Sequence, residues 1–170
     1  LYFGSFGDDP FIAPIPGRTN IVAVKRTADE KVPIFADNWH TDWSFQANPP
    51  IGTALYGVVI PPTGGDTSFA NLQLSLARMP TTLRARLEGL RAIRSARLAY
   101  APDGTYGEKA EEADRSMRIV PSDAAYDQET HNLIAKHPDS GNETIIGCAG
   151  YIIGFEGMDQ EEANTLLREL

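Results

Sequence analysis

Residues 38–45 read Asn-Trp-His-Thr-Asp-Trp-Ser-Phe, and this stretch decides how the rest of the chain is interpreted. Aromatic and ionisable residues alternate in it, and a period of two places alternate side chains on one face of an extended strand. In that conformation the His40 imidazole and the Asp42 carboxylate face the same way, so one cation can bind both. A facial triad of two histidines and one carboxylate leaves coordination positions open on Fe(II), as non-haem oxygenases require.

The His-Thr-Asp tripeptide is weak evidence when it is taken alone. The chain has 3 histidines, and a chance His-x-Asp is expected in roughly 15% of chains of such composition. The competing interpretation is an exposed histidine beside a surface carboxylate. A hydrolytic zinc site is a further alternative, although one His-x-Asp pair supplies few of the nitrogen or sulfur ligands that zinc takes.

The composition bounds the class of protein. The 170 residues carry a formal net charge of -8 and are 42% hydrophobic, which fits one globular domain over residues 1–170. Nucleic acid is an unfavoured partner because phosphate binding depends on clustered Lys and Arg, and no apolar run has the length of a membrane span. The single cysteine, Cys148, is interpreted as a small buried apolar residue. It cannot form an internal disulfide, which favours a reducing, cytoplasmic setting.

Hydrophobic periodicity predicts a mainly β fold with flanking helices. Strands without regular βαβ alternation favour an antiparallel architecture such as a jelly roll. A helix over 159–170 would begin at Asp159 as its N-cap. The other predicted elements are strands over 20–26, 53–60 and 91–100, a strand beginning at Thr67, helices over 71–79 and 81–90, and a hairpin joining 131–136 to 143–146.

Two features concern the extent and mobility of the chain. Residues 103–123 are charged and contain Gly104 and Gly107, so this stretch is predicted to be a mobile loop or lid. The chain has no initiator Met and stops at Leu170 inside an amphipathic pattern. We therefore expect a partial domain of a longer protein.

Several separated motifs carry a family resemblance. Residues 38–45 are followed by Pro-Pro at 49–50 and by Thr-Gly-Gly-Asp-Thr at 63–67. Phe-Ala-Asn at 69–71, Gly-Leu-Arg-Ala at 89–92 and His-Pro-Asp-Ser-Gly at 137–141 come next in order. Together these motifs resemble the taurine dioxygenase (TauD/TfdA) type of iron(II)- and 2-oxoglutarate-dependent dioxygenase. The resemblance spans roughly residues 6–170.

The resemblance implies a double-stranded β-helix, a cupin-like jelly roll that is incomplete in this chain. It implies that His40 and Asp42 are catalytic iron ligands, and that Thr67 helps to hold the distal carboxylate of 2-oxoglutarate. The third ligand, a distal histidine, and an arginine for the 2-oxoglutarate carboxylate are expected beyond Leu170. His131 and His137 are interpreted as structural residues of a hairpin, not as substitutes for that ligand.

The resemblance also implies which residues face the substrate. For the aromatic ones, ordinary core packing is the alternative. Where the taurine enzyme has a His and a Tyr that contact its substrate, this chain has Asp9 and Ile12, and Ala36 replaces an Asn. An added carboxylate repels a sulfonate anion, so we expect a substrate other than taurine that is larger, more apolar or cationic. The implied substrate-facing residues are Ile12, Asn38, Trp43, Tyr100 and Tyr151.

The implied reaction uses Fe(II), 2-oxoglutarate and O2, and it releases succinate and CO2 while a small organic substrate is oxidised. Hydroxylation is the expected outcome, with desaturation or cleavage left open. The carboxylate of Asp42 disfavours halogenation, since related halogenases lack it. The alternative is a catalytically silent jelly roll that acts as a binding or interaction module. No nucleic-acid or membrane partner is expected, and the sequence leaves a homo-oligomer open.

Overall fold

The structure is a computed structural model that describes residues 4–107, 115–147 and 150–170. Short antiparallel strands carry helices on their surfaces. The helices are α1 (Leu72–Arg78), α2 (Thr81–Leu87), α3 (Arg97–Tyr100) and α4 (Gln160–Glu169), with a 3-10 turn at Asp123–Tyr126. The strands are β1 (Arg91–Arg94), β2 (Glu129–Asn132), β3 (Ile134–Lys136), β4 (Glu143–Ile145) and β5 (Ile152–Phe155).

A three-stranded antiparallel sheet lies at the centre, in the order β2-β1-β5. Ala92 of β1 pairs with His131 on one side and with Phe155 on the other. Strands β3 and β4 form a separate hairpin. Its turn closes where the His137 backbone N–H donates to Asn142 and Gly141 adopts a positive φ of 68°. The predicted turn is therefore confirmed, and the predicted hairpin is confirmed over 134–136 and 143–145, whereas residues 131–132 belong to β2 of the central sheet.

The two helices before the sheet follow their local signals. Asn71 caps α1, because its side-chain oxygen accepts from the backbone N–H of Leu74 at 2.9 Å. Pro80 separates α1 from α2, and Met79 before it is extended, as a residue before proline prefers. Asp159 caps α4 in the same way, through the N–H of Glu162 at 2.8 Å. These predicted helices are confirmed.

The main core lies between the sheet and helices α2 and α4. Burying a large apolar side chain completely contributes about 1.5–3 kcal/mol, so this cluster stabilises the fold strongly. Its fully or almost fully buried members are Leu87, Ala92, Leu133, Ile145, Ile152, Phe155, Ala163 and Leu166.

Three predicted strands are wrong. Residues 20–26 contribute only an isolated bridge at Val22, and residues 53–60 and the stretch after Thr67 are irregular. The apolar side chains that suggested a strand at 53–60 are exposed, with Val58 at 83% and Val59 at 86%. A strand needs a neighbour for its backbone N–H and C=O groups, and no described strand pairs with this segment. The predicted strand 91–100 ends at Arg94, and α3 follows.

The stretch 103–123, predicted to be a mobile loop or lid, is described only in part, because residues 108–114 lie outside the described residues. Its later part contacts the N-terminal segment. The Ala13 N–H donates to the Arg118 carbonyl at 2.9 Å, and the Val120 N–H donates to the Phe11 carbonyl at 2.7 Å. Cys148, predicted to be a buried apolar residue, also lies outside the described part. Within the described ranges, no helix has the length and apolar character of a membrane span.

A buried carboxylate joins two segments that are distant in sequence. Glu30 is 7% exposed, and its Oε2 accepts from the Ser116 N–H at 2.9 Å. Arg26 donates to its Oε1 at 3.2 Å. The hydrogen bonds from Ser116, with smaller contributions from the charges of Arg26 and Arg115, lower the pKa of Glu30. The ionised form of Glu30 is therefore the one that ties residues 26–30 to residue 116.

Glu30→Gln is predicted to lower stability at neutral pH, because the ionised carboxylate is lost. A lowered folded-state pKa contributes stability above the unfolded value of about 4.3, and this contribution disappears as pH falls through the folded-state pKa. The difference in unfolding free energy between wild type and Glu30→Gln should therefore shrink from pH 7 to pH 3 in denaturant titrations. Asp29→Asn, which changes an exposed neighbouring charge, is the control. A difference that stays constant with pH contradicts the role of the charge.

Candidate metal centre

The decisive stretch forms a turn, not the predicted strand. The Ser44 N–H donates to Thr41 at 3.4 Å and the Gln46 N–H donates to Trp43 at 3.0 Å, while Trp43 adopts a positive φ of 45°. The turn satisfies these backbone groups locally, whereas a strand would need a neighbour, and no described strand pairs with this stretch. The strand prediction was therefore wrong for this stretch.

His40 and Asp42 nevertheless meet. His40 Nε2 lies 3.1 Å from Asp42 Oδ1, and His40 Nδ1 lies 2.9 Å from the Asn38 carbonyl oxygen. The hydrogen bond to Asp42 is the main cause that raises the pKa of His40, and the same bond lowers the pKa of Asp42. The side chains are 28% and 46% exposed, so solvent and ions can reach both.

The donor atoms fit a divalent cation. Two ligands at about 2.1 Å from a metal and at a right angle to each other are about 3.0 Å apart, and the observed separation of Nε2 and Oδ1 is 3.1 Å. An Nδ1–H donated to the Asn38 carbonyl leaves the lone pair of the neutral ring on Nε2, which is the arrangement common among metal-binding histidines. The described residues contain no group of three or more His, Cys, Asp or Glu that could hold a metal. His40 and Asp42 are thus a candidate pair of ligands, brought together by the described residues.

A second bond holds the other oxygen of the carboxylate. The Thr53 hydroxyl donates to Asp42 Oδ2 at 2.6 Å. Sequence reasoning missed Thr53, because it is 11 residues from Asp42 and carries no motif of its own. In each candidate ligand, one polar atom is thus hydrogen-bonded to another part of the protein and the other polar atom faces the second ligand.

An aromatic cluster lies next to the pair. Phe11 stacks on Tyr100 with ring centroids 4.9 Å apart, and Phe45 meets Tyr151 edge to face at 4.9 Å. Burial raises the pKa of Tyr100 and raises that of Tyr151 to about 12, with the charge of Asp42 contributing to the rise at Tyr151. Two predicted substrate-facing residues, Tyr100 and Tyr151, are therefore together and close to Asp42.

Asp9 lies in the same region. Its Oδ1 accepts from the backbone N–H groups of Phe11 and Ile12, each at 2.8 Å. Burial raises the pKa of Asp9, and the charge of Asp42 adds to this effect. Asp9 thus fixes the backbone of Ile12, a predicted substrate-facing residue that is 7% exposed.

The other residues that the sequence predicted for the site have different surroundings. Trp43 packs at the edge of the aromatic cluster, and Ala36 has a positive φ of 55° with its N–H donated to the Tyr106 hydroxyl. Thr67 is exposed, and within the described ranges it makes no hydrogen bond to His40 or Asp42. Its predicted role stays a prediction.

The other two histidines have partners of their own. His131 Nε2 bonds the Gln46 carbonyl at 2.8 Å, and His137 Nδ1 accepts from the backbone of its own turn. His131 thereby ties β2 to the turn that follows His40 and contains Asp42. These contacts agree with the interpretation of His131 and His137 as structural residues.

Comparisons with known proteins give a consistent result. The profile of the "Taurine catabolism dioxygenase TauD, TfdA family" matches residues 1–170. An alkylsulfatase of Acinetobacter baylyi is 30% identical over 136 residues, which is 79% of this chain and 42% of that protein. The alpha-ketoglutarate-dependent 2,4-dichlorophenoxyacetate dioxygenase of Cupriavidus pinatubonensis is 30% identical over 155 residues, 86% of this chain and 47% of that protein. The chain thus spans less than half the length of these relatives.

A solved structure of a Burkholderia xenovorans protein aligns over 65% of this chain and 39% of its own, at 24% identity and a TM-score of 0.49.

Tyr151→Ala is predicted to lower the free energy of unfolding by about 3–5 kcal/mol, because it removes a buried ring from the aromatic cluster. Tyr151 is 8% exposed, and its ring meets that of Phe45 at 4.9 Å. Tyr56→Ala, at a side chain that is 91% exposed, is the matched control and should change little. Denaturant unfolding of both variants measures the difference. Equal stabilities would contradict the packing of Tyr151 in the cluster.

Proposed function

This chain belongs to the TauD, TfdA family of dioxygenases, and on that premise we propose that its full-length protein is an Fe(II)- and 2-oxoglutarate-dependent dioxygenase. The observation that carries the proposal is the separation of 3.1 Å between His40 Nε2 and Asp42 Oδ1, with Nδ1 turned to the Asn38 carbonyl. This arrangement suits two neighbouring positions of one cation, and a facial triad needs these residue types. The third ligand, a histidine, would come from another part of the full-length protein.

Bound iron supplies the oxidising chemistry: O2 and 2-oxoglutarate are consumed, one oxygen atom goes to succinate as CO2 leaves, and the other goes to the substrate. The chain's own residues would hold the metal and 2-oxoglutarate and would orient them. His40 and Asp42 would bind the metal, and the Asn38 carbonyl would keep Nε2 directed toward it. Thr67 would contact the distal carboxylate of 2-oxoglutarate, a role assigned from the family motif.

We propose that the aromatic cluster forms one wall of the substrate pocket and excludes water from it. Tyr100 and Tyr151 are 5% and 8% exposed, and Trp43 packs against their cluster. Ile12 follows the cluster member Phe11 in the chain and is 7% exposed. A dry, shaped wall strengthens the electrostatic interactions inside a site and protects its reactive species. We propose Ile12, Asn38, Trp43, Tyr100 and Tyr151 as the residues nearest the substrate.

The substrate class follows from charge. The matched relatives are named for alkyl sulfate and 2,4-dichlorophenoxyacetate chemistry. In this chain a half-buried carboxylate, Asp9, lies within electrostatic range of Asp42. A small sulfonate such as taurine would be repelled there. We propose hydroxylation of a small organic substrate other than taurine, one that is more apolar or cationic.

The setting proposed for this reaction is the cytoplasm, where 2-oxoglutarate and Fe(II) are at hand. The net charge of -8 disfavours a nucleic-acid partner. The competing function is a silent jelly-roll binding module. Both candidate ligands are present and oriented, which a module without a metal would not need, and this favours the enzyme. The described strands form a three-stranded sheet and a separate hairpin. We therefore propose the closed jelly roll for the full-length protein.

His40→Ala and Asp42→Ala are each predicted to lower Fe(II)-dependent succinate formation at least about 100-fold in the full-length protein, because each removes a metal ligand. Anaerobic calorimetry with Fe(II) and 2-oxoglutarate measures binding without knowledge of the substrate. Turnover is then measured with alkyl sulfates, aryloxyacetates and taurine. His137→Ala, which changes a side chain bonded only to its own turn among the described contacts, is the control and should retain activity.

Failure of the wild-type protein to bind Fe(II) or to form succinate would exclude the dioxygenase and leave the binding module.

A further inference from the structure

The two oxygens of Asp42 have different partners. Oδ1 faces His40 Nε2 at 3.1 Å, and Oδ2 accepts from the Thr53 hydroxyl at 2.6 Å. A distance of 2.6 Å is typical of a hydroxyl donating to an ionised carboxylate, which is among the stronger hydrogen bonds of proteins. The bond therefore distinguishes one oxygen from the other before any metal is present.

We propose that Thr53 is a positioning residue that holds Asp42 as a one-oxygen metal ligand. The inference rests on the proposed function, since it concerns the same metal pair. The terminal torsion of an aspartate is broad, so a free carboxylate can turn either oxygen, or both, toward a cation. A hydroxyl bonded to Oδ2 restrains that rotation and leaves Oδ1 directed at the cation.

The number of oxygens bound decides how many coordination positions stay open. A facial triad takes three positions of an octahedral ion and leaves three for a chelating 2-oxo acid and O2. A carboxylate that bound through both oxygens would take a fourth position. By occupying Oδ2, Thr53 keeps that position available to the co-substrates.

Thr53 and Asn38 make equivalent contacts to the two candidate ligands. The Asn38 carbonyl bonds the ring nitrogen of His40 that faces away from Asp42, at 2.9 Å, and Thr53 bonds the oxygen of Asp42 that faces away from His40. Outer partners of this kind set the orientation of metal ligands, and their loss typically costs 10–100-fold in metal affinity or activity. The Asp42 side chain is 46% exposed, so the Thr53 bond competes with water and contributes direction more than stability.

A purely structural role of Thr53 is the alternative that the experiment must distinguish from positioning. Among the hydrogen bonds of the described residues, the one from Thr53 alone joins residues 51–60 to the turn at 41–46. If that anchoring were its role, loss of the hydroxyl would disturb the metal-free protein. If positioning is its role, loss of the hydroxyl would disturb metal binding while the metal-free protein stays as it was.

The test uses the full-length protein with Thr53→Val, which keeps the shape and removes the hydroxyl, and Thr53→Ser, which keeps the hydroxyl. Thr63→Val, at an exposed turn position, is the matched control. Fe(II) affinity is measured anaerobically by competition with a chelator, and Mn(II) is measured in parallel by its electron paramagnetic resonance. Thermal unfolding of the metal-free proteins is recorded for every variant.

We expect Thr53→Val to weaken Fe(II) binding about 10–100-fold, with Thr53→Ser and Thr63→Val close to wild type and the metal-free melting temperatures within about 2 °C of one another. Unchanged affinity in Thr53→Val overturns the assignment of Thr53 alone. So does a fall in metal-free melting temperature that accompanies the loss of affinity, or a serine variant as weak as the valine variant. A wild-type protein that binds no Fe(II) overturns the proposed function, and the Thr53 assignment fails with it.

Discussion

The contact on which this site depends is the one between the His40 imidazole and the Asp42 carboxylate, held at 3.1 Å. Two polar groups with this exposure would ordinarily sample many orientations, because water competes for both. Here each group is restrained by a hydrogen bond to the atom that faces away from the other group. The Asn38 carbonyl restrains His40, and the Thr53 hydroxyl restrains Asp42. The facing atoms are therefore preorganised, and the cost of ordering them is met by folding instead of by metal binding.

Two contacts from the rest of the fold lie at or near that pair. His131 of β2 bonds the Gln46 carbonyl and so fixes the end of the turn to the central sheet. Gly150 also passes so close that a Cβ there would lie 3.3 Å from the His40 Cβ, which is tighter than ordinary van der Waals contact. The aromatic cluster fills the space next to Asp42. Packing, sheet and turn thus meet at the site.

Sequence reasoning succeeded where the signal was local. The cap at Asp159, the break between the helices at Pro80 and the turn at 137–141 are decided by neighbours within a few residues, and each was predicted. It failed at 53–60, where a run of apolar and β-branched residues indicates a strand but pairing depends on a partner elsewhere. The role of Thr53 was invisible for the same reason. Pairing of His40 with Asp42 was foreseen, although through a strand and not through the turn that produces it.

The central claim concerns which atoms hold the metal, and a crystal structure of the full-length protein grown anaerobically with Fe(II) and 2-oxoglutarate tests it most directly. The account predicts iron bonded to His40 Nε2 and to Oδ1 of Asp42 alone, with Oδ2 still bonded to the Thr53 hydroxyl and a histidine from outside this chain as the third ligand. Iron bound elsewhere, or bound without His40 and Asp42, would contradict it.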